Sequence, residues 1–270
     1  MTEALPPILL LGSGKMGGAM LAGWRERGLA SSYVVDPAPA AAALAGGGVQ
    51  VVASPAAIPP EFRPAAIVLA VKPQQADAAL PGLAPFAAEG AVMLSIMAGR
   101  TVAGLRALLG PDAPVVRAMP NTPAAIRQGI TVACPGPGIS ASQRSLCDSL
   151  LASVGEVAWV DDEGLIDAVT AVSGGGPAYV FLLAELLERA AAEQGIPLPL
   201  ARRLARVTVA GSGALLAASS EDAATLRVAV TSPAGTTERA LAVLMADAAW
   251  PALMSRAIDA ATRRSRELAG

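Results

Sequence analysis

A chain of 270 residues is long enough for one large or two ordinary domains whose cores need no disulfide staples. It is 53% hydrophobic but only 3% aromatic, so small side chains, alanine above all, favour closely packed helices with extensive subunit contacts. A net charge of −2 gives no case for nucleic acid or an anionic membrane; no histidine and only Cys134 and Cys147 leave no expected metal site or disulfide framework.

This cysteine usage fits a reducing cytoplasm. The opening "MTEALPPILLLGSG" carries an acidic residue and no basic stretch, so it does not read as a signal peptide. Short apolar runs at 8–12, 33–36, 49–53, 66–71, 91–96 and 115–119 predict strands. They are continuous rather than alternating, as a parallel sheet buried on both faces requires. Helical patterns over 16–27, 74–83 and 102–109 lie between them, which argues for a doubly wound α/β arrangement. Two further strands, 130–133 and 156–160, bracket a helix over 141–151.

After "VDDEG" (160–164) the strands stop, which places a domain boundary near Asp162. From Leu165 onward the pattern is helical, with breaks expected at "SGGGP", "QGIPLP" and the elbow "SPAGTT". The uncharged run 168–184 is read as interrupted by "GGGP" and too short for a membrane span. In the last helix Trp250, Leu253, Met254, Ala257, Ile258 and Ala261 share one face.

The stretch "LLLGSGKMGGAM" sets Gly12, Gly14 and Gly17 after the first strand and at the mouth of a helix. In a dinucleotide loop the first glycine makes the turn, the second admits a pyrophosphate, and the third lets helix and strand pack. Asp36 ends the second strand about 20 residues on, where an acid binds the adenine ribose hydroxyls of NAD and repels a 2′-phosphate. It equally suits the start of a turn with Pro37. Lys72, one of only two lysines (the other is Lys15), lies in "LAVKPQ" at the strand edge where ligands of open sheets bind; a solvated strand-end lysine is the plainer reading. "RAMPNTPA" puts Asn121 on the same edge, in a loop stiffened by two prolines.

In the helical half, "SGGGPA" (173–178) leaves room for a flat ligand against the backbone or for a crossing helix. Pro177 suits the start of a new helix, with Ser173 nearby as a cap. The elbow 232–237 brings hydroxyls and helix N-terminal amides together, a setting for a carboxylate or phosphate as well as for a well-capped turn.

In order along the chain, "GSGKMGGAM", "LAVKPQ", "SIMAGRT", "RAMPNTPAAIRQG", "AVSGGGPAYVFLLAELLERAAAEQGIP" and "TSPAGTTERAL" resemble the pyrroline-5-carboxylate reductase family. The resemblance implies a Rossmann-like NAD(P)-binding domain over 1–161 and an all-helical dimerisation and substrate domain over 162–270. It implies NADPH or NADH as cofactor, held by Gly12, Ser13, Gly14, Lys15, Met16 and Gly17 with Asp36. Val71, Lys72, Ala98 and Asn121 complete that set. It implies a substrate, 1-pyrroline-5-carboxylate, bound by Gly175, Ser232, Gly235, Thr236 and Thr237, with Thr237 as the catalytic hydroxyl. Homodimers that often assemble into a ring-like decamer are part of the same pattern. Two positions depart from it: the family commonly has serine at Gly175 and glycine at Ala234. A β-hydroxyacid dehydrogenase would share the loop but place a lysine in its second domain, and none occurs after Lys72.

Overall fold

The computed structural model describes residues 4–269. The amino-terminal reading against a leader peptide begins at residues 1–3, outside the described part. Eight strands form along the chain: β1 (Ile8–Leu11), β2 (Ser32–Val35), β3 (Val49–Val52), β4 (Ala66–Leu69), β5 (Val92–Ser95), β6 (Val115–Met119), β7 (Gly129–Pro135) and β8 (Gly155–Trp159). They make one sheet in the order β3-β2-β1-β4-β5-β6-β7-β8. All neighbours are parallel except β6 and β7, which run antiparallel. The chain therefore returns from β6 to β7 through a connection, containing the 3-10 helix Thr122–Ile126, on the carboxyl edge of β1–β6.

Both faces of the central strands β1, β2, β4 and β5 are buried, and successive residues feed opposite cores because side chains alternate along a strand. Ile8, Leu10, Val34, Val68 and Leu94 pack with Met20, Leu21 and Trp24 of α1 (Lys15–Glu26). The Trp24 indole N–H donates to the Leu150 carbonyl at 2.9 Å, fastening α1 to α5 (Ala141–Leu151). Leu9, Leu11, Val35, Ile67 and Met93 turn to the other side, against Leu80, Leu83 and Leu105. Leu105 lies on α4 (Val102–Leu109). The expected helix over 74–83 is instead a string of short pieces, with α2 (Ala76–Ala79) and α3 (Ala84–Ala88) between 3-10 turns. Pro73, Pro81 and Pro85 each start a piece, since proline lacks an N–H and starts helices better than it continues them.

From Leu165 the chain is helical, and the break expected at "SGGGP" is reduced to a π-helical turn and a bend at Gly175, after which a new α-helix begins with Pro177 in its first turn. Helix α6 (Leu165–Val169) passes through a π-helical turn, Thr170–Gly174, into α7 (Gly176–Glu193). The run Leu165–Glu193 is thus 29 residues long and, by length and composition alone, long and apolar enough to cross a membrane, contrary to the sequence reading. Then follow α8 (Leu198–Ala218), α9 (Ala223–Ala229), α10 (Thr236–Leu244) and α11 (Trp250–Ala269).

Contacts divide the chain into two units, one running through Gly174 and regaining the chain from Ala261, the other Gly175–Ala260. The sequence reading set its boundary earlier, near Asp162. Helix α6 packs on β6 and β7, which draws it into the first unit. The end of α11 belongs there too: the Ser265 hydroxyl donates to Asp167 Oδ1 at 2.7 Å in a buried contact. In the second unit α7 and α8 pack together, joined by Arg202 donating to Glu188. Among its described residues only Ala201 and Ala205 are buried.

Candidate functional site

The carboxyl edge of the parallel strands carries a cleft of about 760 Å³ lined by Gly12, Gly14, Asp36, Val71 and Lys72, with Ser54, Gln74 and Gln75 among its other walls. The size suits a nucleotide-scale ligand. Three glycines at the mouth of α1 have different reasons to be glycine. Gly12 takes φ +88°, and a Cβ there would stand 2.9 Å from the Ala70 carbonyl group and from Val71. At Gly17 a Cβ would come within 2.3 Å of the Gly12 oxygen, so helix and loop touch. At Gly14 nothing lies within 4 Å. That open position is also the N-cap of α1 and makes no side-chain cap bond. An uncapped helix start beside an open glycine is a cradle for a pyrophosphate, so these residues fit a dinucleotide.

Ser13 closes the loop onto β2. Asp36 Oδ2 accepts from the Ser13 N–H at 2.8 Å and from its hydroxyl at 2.6 Å. Asp36 Oδ1 accepts from the Ala38 N–H at 2.9 Å. Burial raises the Asp36 pKa, but the bonds from the Ser13 hydroxyl, the Ala38 N–H and the Ser13 N–H outweigh it and hold the carboxyl below its usual value. Asp36 thus starts a turn and faces the cleft at once.

Lys15 and Met16 open α1, with Lys15 exposed. Ala98, also exposed, follows β5; Asn121 follows β6, its Oδ1 accepting from the Ile130 N–H at 3.0 Å and so bracing the β6–β7 return. These residues share the carboxyl edge, though Lys15, Met16, Ala98 and Asn121 are not part of the cleft wall.

Sequence reasoning gave no role to Arg100. Its guanidinium donates to the Pro73 carbonyl at 2.7 and 3.1 Å and pairs with Asp77 at 3.0 and 3.1 Å, tying the loop after β5 to the one after β4. Nor did it find Arg117, buried on β6 and paired with Glu163 at 2.9 Å and Asp167 at 3.9 Å. Glu163 also accepts from the Val102 N–H at 2.8 Å, capping α4. The arginine signals are single residues without a motif; only the apolar run around Arg117 marks it as unusual. Neither thiol suits nucleophilic work: burial pushes Cys147 up to about 12, with Asp148 adding to it, and burial raises Cys134 as well.

The second candidate set lies in the helical unit. Pro233 and Ala234 form the centre of a turn in which the Gly235 N–H donates to the Ser232 carbonyl at 3.0 Å. Ala234 has φ +59°, and proline followed by a left-handed residue is the pattern of a type II turn. Glu238 reaches back to accept the Ala234 N–H at 2.8 Å. Gly235 is the N-cap of α10 and supplies no side-chain cap, so the first-turn amides of Thr236 and Thr237 face outward at a positive helix end. Ser232, Thr236 and Thr237 are exposed, whereas the neighbouring Thr231 hydroxyl is spent on the Arg227 carbonyl at 2.7 Å.

Gly175, the N-cap of α7, has φ −80° and ψ −23°, a conformation open to serine as well. Ser173 is no cap: its hydroxyl donates to the Val169 carbonyl at 3.1 Å across the π-helical turn. Within the first unit Gly174 packs on Met119, where a Cβ would meet the methyl group at 2.7 Å. This brings the start of "SGGG" to the end of the strand that feeds the Asn121 loop.

Residues 163–268 match the family description "Pyrroline-5-carboxylate reductase dimerisation". Residues 7–99 match "NADP oxidoreductase coenzyme F420-dependent". The sequence is 40% identical to the pyrroline-5-carboxylate reductase of Pseudomonas aeruginosa, over 98% of this chain and 97% of that one. The fold is similar to a pyrroline-5-carboxylate reductase from Coxiella burnetii, with TM-score 0.90, 30% identity and complete coverage of both chains. It is also similar to the pyrroline carboxylate reductase of Plasmodium falciparum solved with NADP bound, at TM-score 0.82, 24% identity and complete coverage of both; there the likeness is one of fold.

Proposed function

The chain belongs to the pyrroline-5-carboxylate reductase family, and on that premise we propose that it reduces 1-pyrroline-5-carboxylate to L-proline with NADPH or NADH, the last step of proline biosynthesis. One observation carries the reading: the family likeness runs through both halves of the chain, which a shared dinucleotide loop alone would not produce.

When bound, the reduced nicotinamide supplies the hydride that the imine carbon takes up. The chain's own part is to hold and orient. The α1 N-terminus and Gly14 receive the pyrophosphate, Lys15 and Met16 border it, and Asp36 faces the adenine ribose. Val71, Lys72, Ala98 and Asn121 support the remainder of the cofactor from the strand ends. In the helical half the amides of Thr236 and Thr237 take the substrate carboxylate, with Ser232 and Gly235 shaping the turn and Gly175 lying against the substrate ring. As electron density builds on the ring nitrogen, the Thr237 hydroxyl either stabilises the developing amine by donating to its new lone pair or relays a proton. A protonated imine is already electrophilic, so a site without histidine serves this reaction by positioning.

The exposed apolar faces of α7 and α8 support a homodimer through the helical half; assembly of dimers into a decamer is the larger form that the family resemblance implies. The same need to cover apolar surface accounts for the hydropathy of Leu165–Glu193 with only 17% of the membrane-length window buried, so the proposal is a cytoplasmic enzyme without a membrane partner. Mixing the purified chain with pyrroline-5-carboxylate and each reduced dinucleotide tests the function. The expected result is substrate-dependent dinucleotide oxidation with stoichiometric L-proline; no oxidation with either would overturn it.

A further inference from the structure

The geometry points to Asp36 as the residue that selects NADH over NADPH, by presenting a fixed carboxylate where the 2′ position of the adenine ribose is read. This rests on the cleft being the dinucleotide site proposed above. Asp36 directly follows β2 and lines that cleft together with Gly12 and Gly14. An acid at this strand end accepts hydrogen bonds from ribose hydroxyls.

The side chain is not free to turn aside. Both oxygens are engaged, Oδ2 by the Ser13 N–H and hydroxyl and Oδ1 by the Ala38 N–H. Moving it to admit a phosphate breaks three hydrogen bonds and releases Ser13, which belongs to the glycine loop itself. The same bonds keep the group ionised at neutral pH. Oδ1, with one recorded donor, retains a lone pair for a ribose hydroxyl.

The segment that follows Asp36 supplies no side chain to bind a 2′-phosphate, and Ser54, after the neighbouring β3, offers the cleft wall a hydroxyl but no charge. The stretch after Asp36 reads Pro37-Ala38-Pro39-Ala40-Ala41-Ala42-Ala43-Leu44, with no cation, hydroxyl or amide side chain. Arg25, which reaches toward this segment, has its guanidinium donating to the carbonyls of Leu44 and Gly46. The basic residue on the cleft wall is Lys72, which follows β4. Because β1 lies between β2 and β4, its backbone stands two strand spacings away, about 10 Å. A phosphate monoester carrying nearly two negative charges would meet one carboxylate at close range with no cation of its own.

Binding of fragments separates this subsite from catalysis. ADP-ribose and 2′-phospho-ADP-ribose are titrated into the intact chain by calorimetry. ADP-ribose is expected to bind at least about tenfold more tightly, the size of a charge repulsion near a protein surface. Asp36→Asn keeps an oxygen for Ser13 but loses the charge, and should narrow the gap to within about threefold. Ala38→Arg, at an exposed position that leaves Asp36 in place, should tighten the phosphorylated fragment and provides a second variant if the first folds poorly. Equal or tighter binding of the phosphorylated fragment by the unaltered chain overturns the inference and leaves the dinucleotide site standing. An unchanged gap in Asp36→Asn likewise removes Asp36 as the selector. Binding of neither fragment sinks the dinucleotide reading itself.

Discussion

Ala234 holds φ +59° where the turn before α10 requires a left-handed residue, and a Cβ in that region costs about 1 kcal/mol. Ala234→Gly removes the strain and returns part of the gain as unfolded-chain entropy. The expected outcome is a net stabilisation of about 0.5 kcal/mol, read from denaturation midpoints at fixed protein concentration. A loss of stability would show that the alanine is accommodated at no cost. One turn further, Thr237→Ala removes a single donor from the proposed reaction site. Turnover should fall on the order of ten- to a thousand-fold, and unchanged steady-state kinetics would take Thr237 out of the mechanism. Asp36 sets an acid limb. Its lowered pKa means its stabilising bonds are fully present above the usual carboxylate value of about 3.9 and are lost as pH falls through the lower folded value. In Asp36→Asn that part of the acid unfolding curve should disappear; an identical curve would mean that Ser13 is held without the charge.

At the scale of elements, the central strands were legible because burial on both faces leaves them continuously apolar, and the eight expected segments coincide with β1–β8 to within a residue or two at their ends. The glycine loop was legible because each glycine answers a separate backbone demand. The stretch 73–88 was not, since its apolar spacing is helical while three prolines divide it. "SGGGP" was legible in part: a new helix does start there with Pro177 in its first turn, but the interruption is slight. Glycines lower helix propensity, yet a π-turn with back-bonding from Ser173 and Thr170 carries the helix across. Least legible was the buried network of Arg117, Glu163, Asp167 and Ser265, whose members are far apart in sequence and meet only in the fold. Arg117→Ala strands two carboxylates next to the sheet. It should cost about 3 kcal/mol, measured by denaturant titration, and a change under 1 kcal/mol would show that water replaces the guanidinium.

For the whole molecule the informative quantity is what stays uncovered. Val180, Phe181, Leu187, Leu204 and Val207 of α7 and α8 stand exposed in the single chain, and burial in that unit is confined among described residues to two alanines. Apolar surface of this extent marks an interaction face. The purified chain should therefore sediment as a dimer or a multiple of it, and Phe181→Glu, placing a charge where the ring is 68% exposed, should shift it to monomer with a lower Tm. A variant that stays dimeric would move the interface elsewhere. The elbow was recognisable from its residues, but its place on so open a unit was not, because sequence patterning shows which face is apolar and not what covers it.

On the proposed pairing through α7 and α8, a helical half with almost no interior among its described residues would make maturation a meeting between molecules. Its pace would follow the square of how much newly made chain is present, so scarcity rather than heat would be the first threat to yield. Since twofold pairing cannot tell a working copy from a crippled one, an inactive version made in the same cell would be drawn into mixed pairs and dilute the working ones.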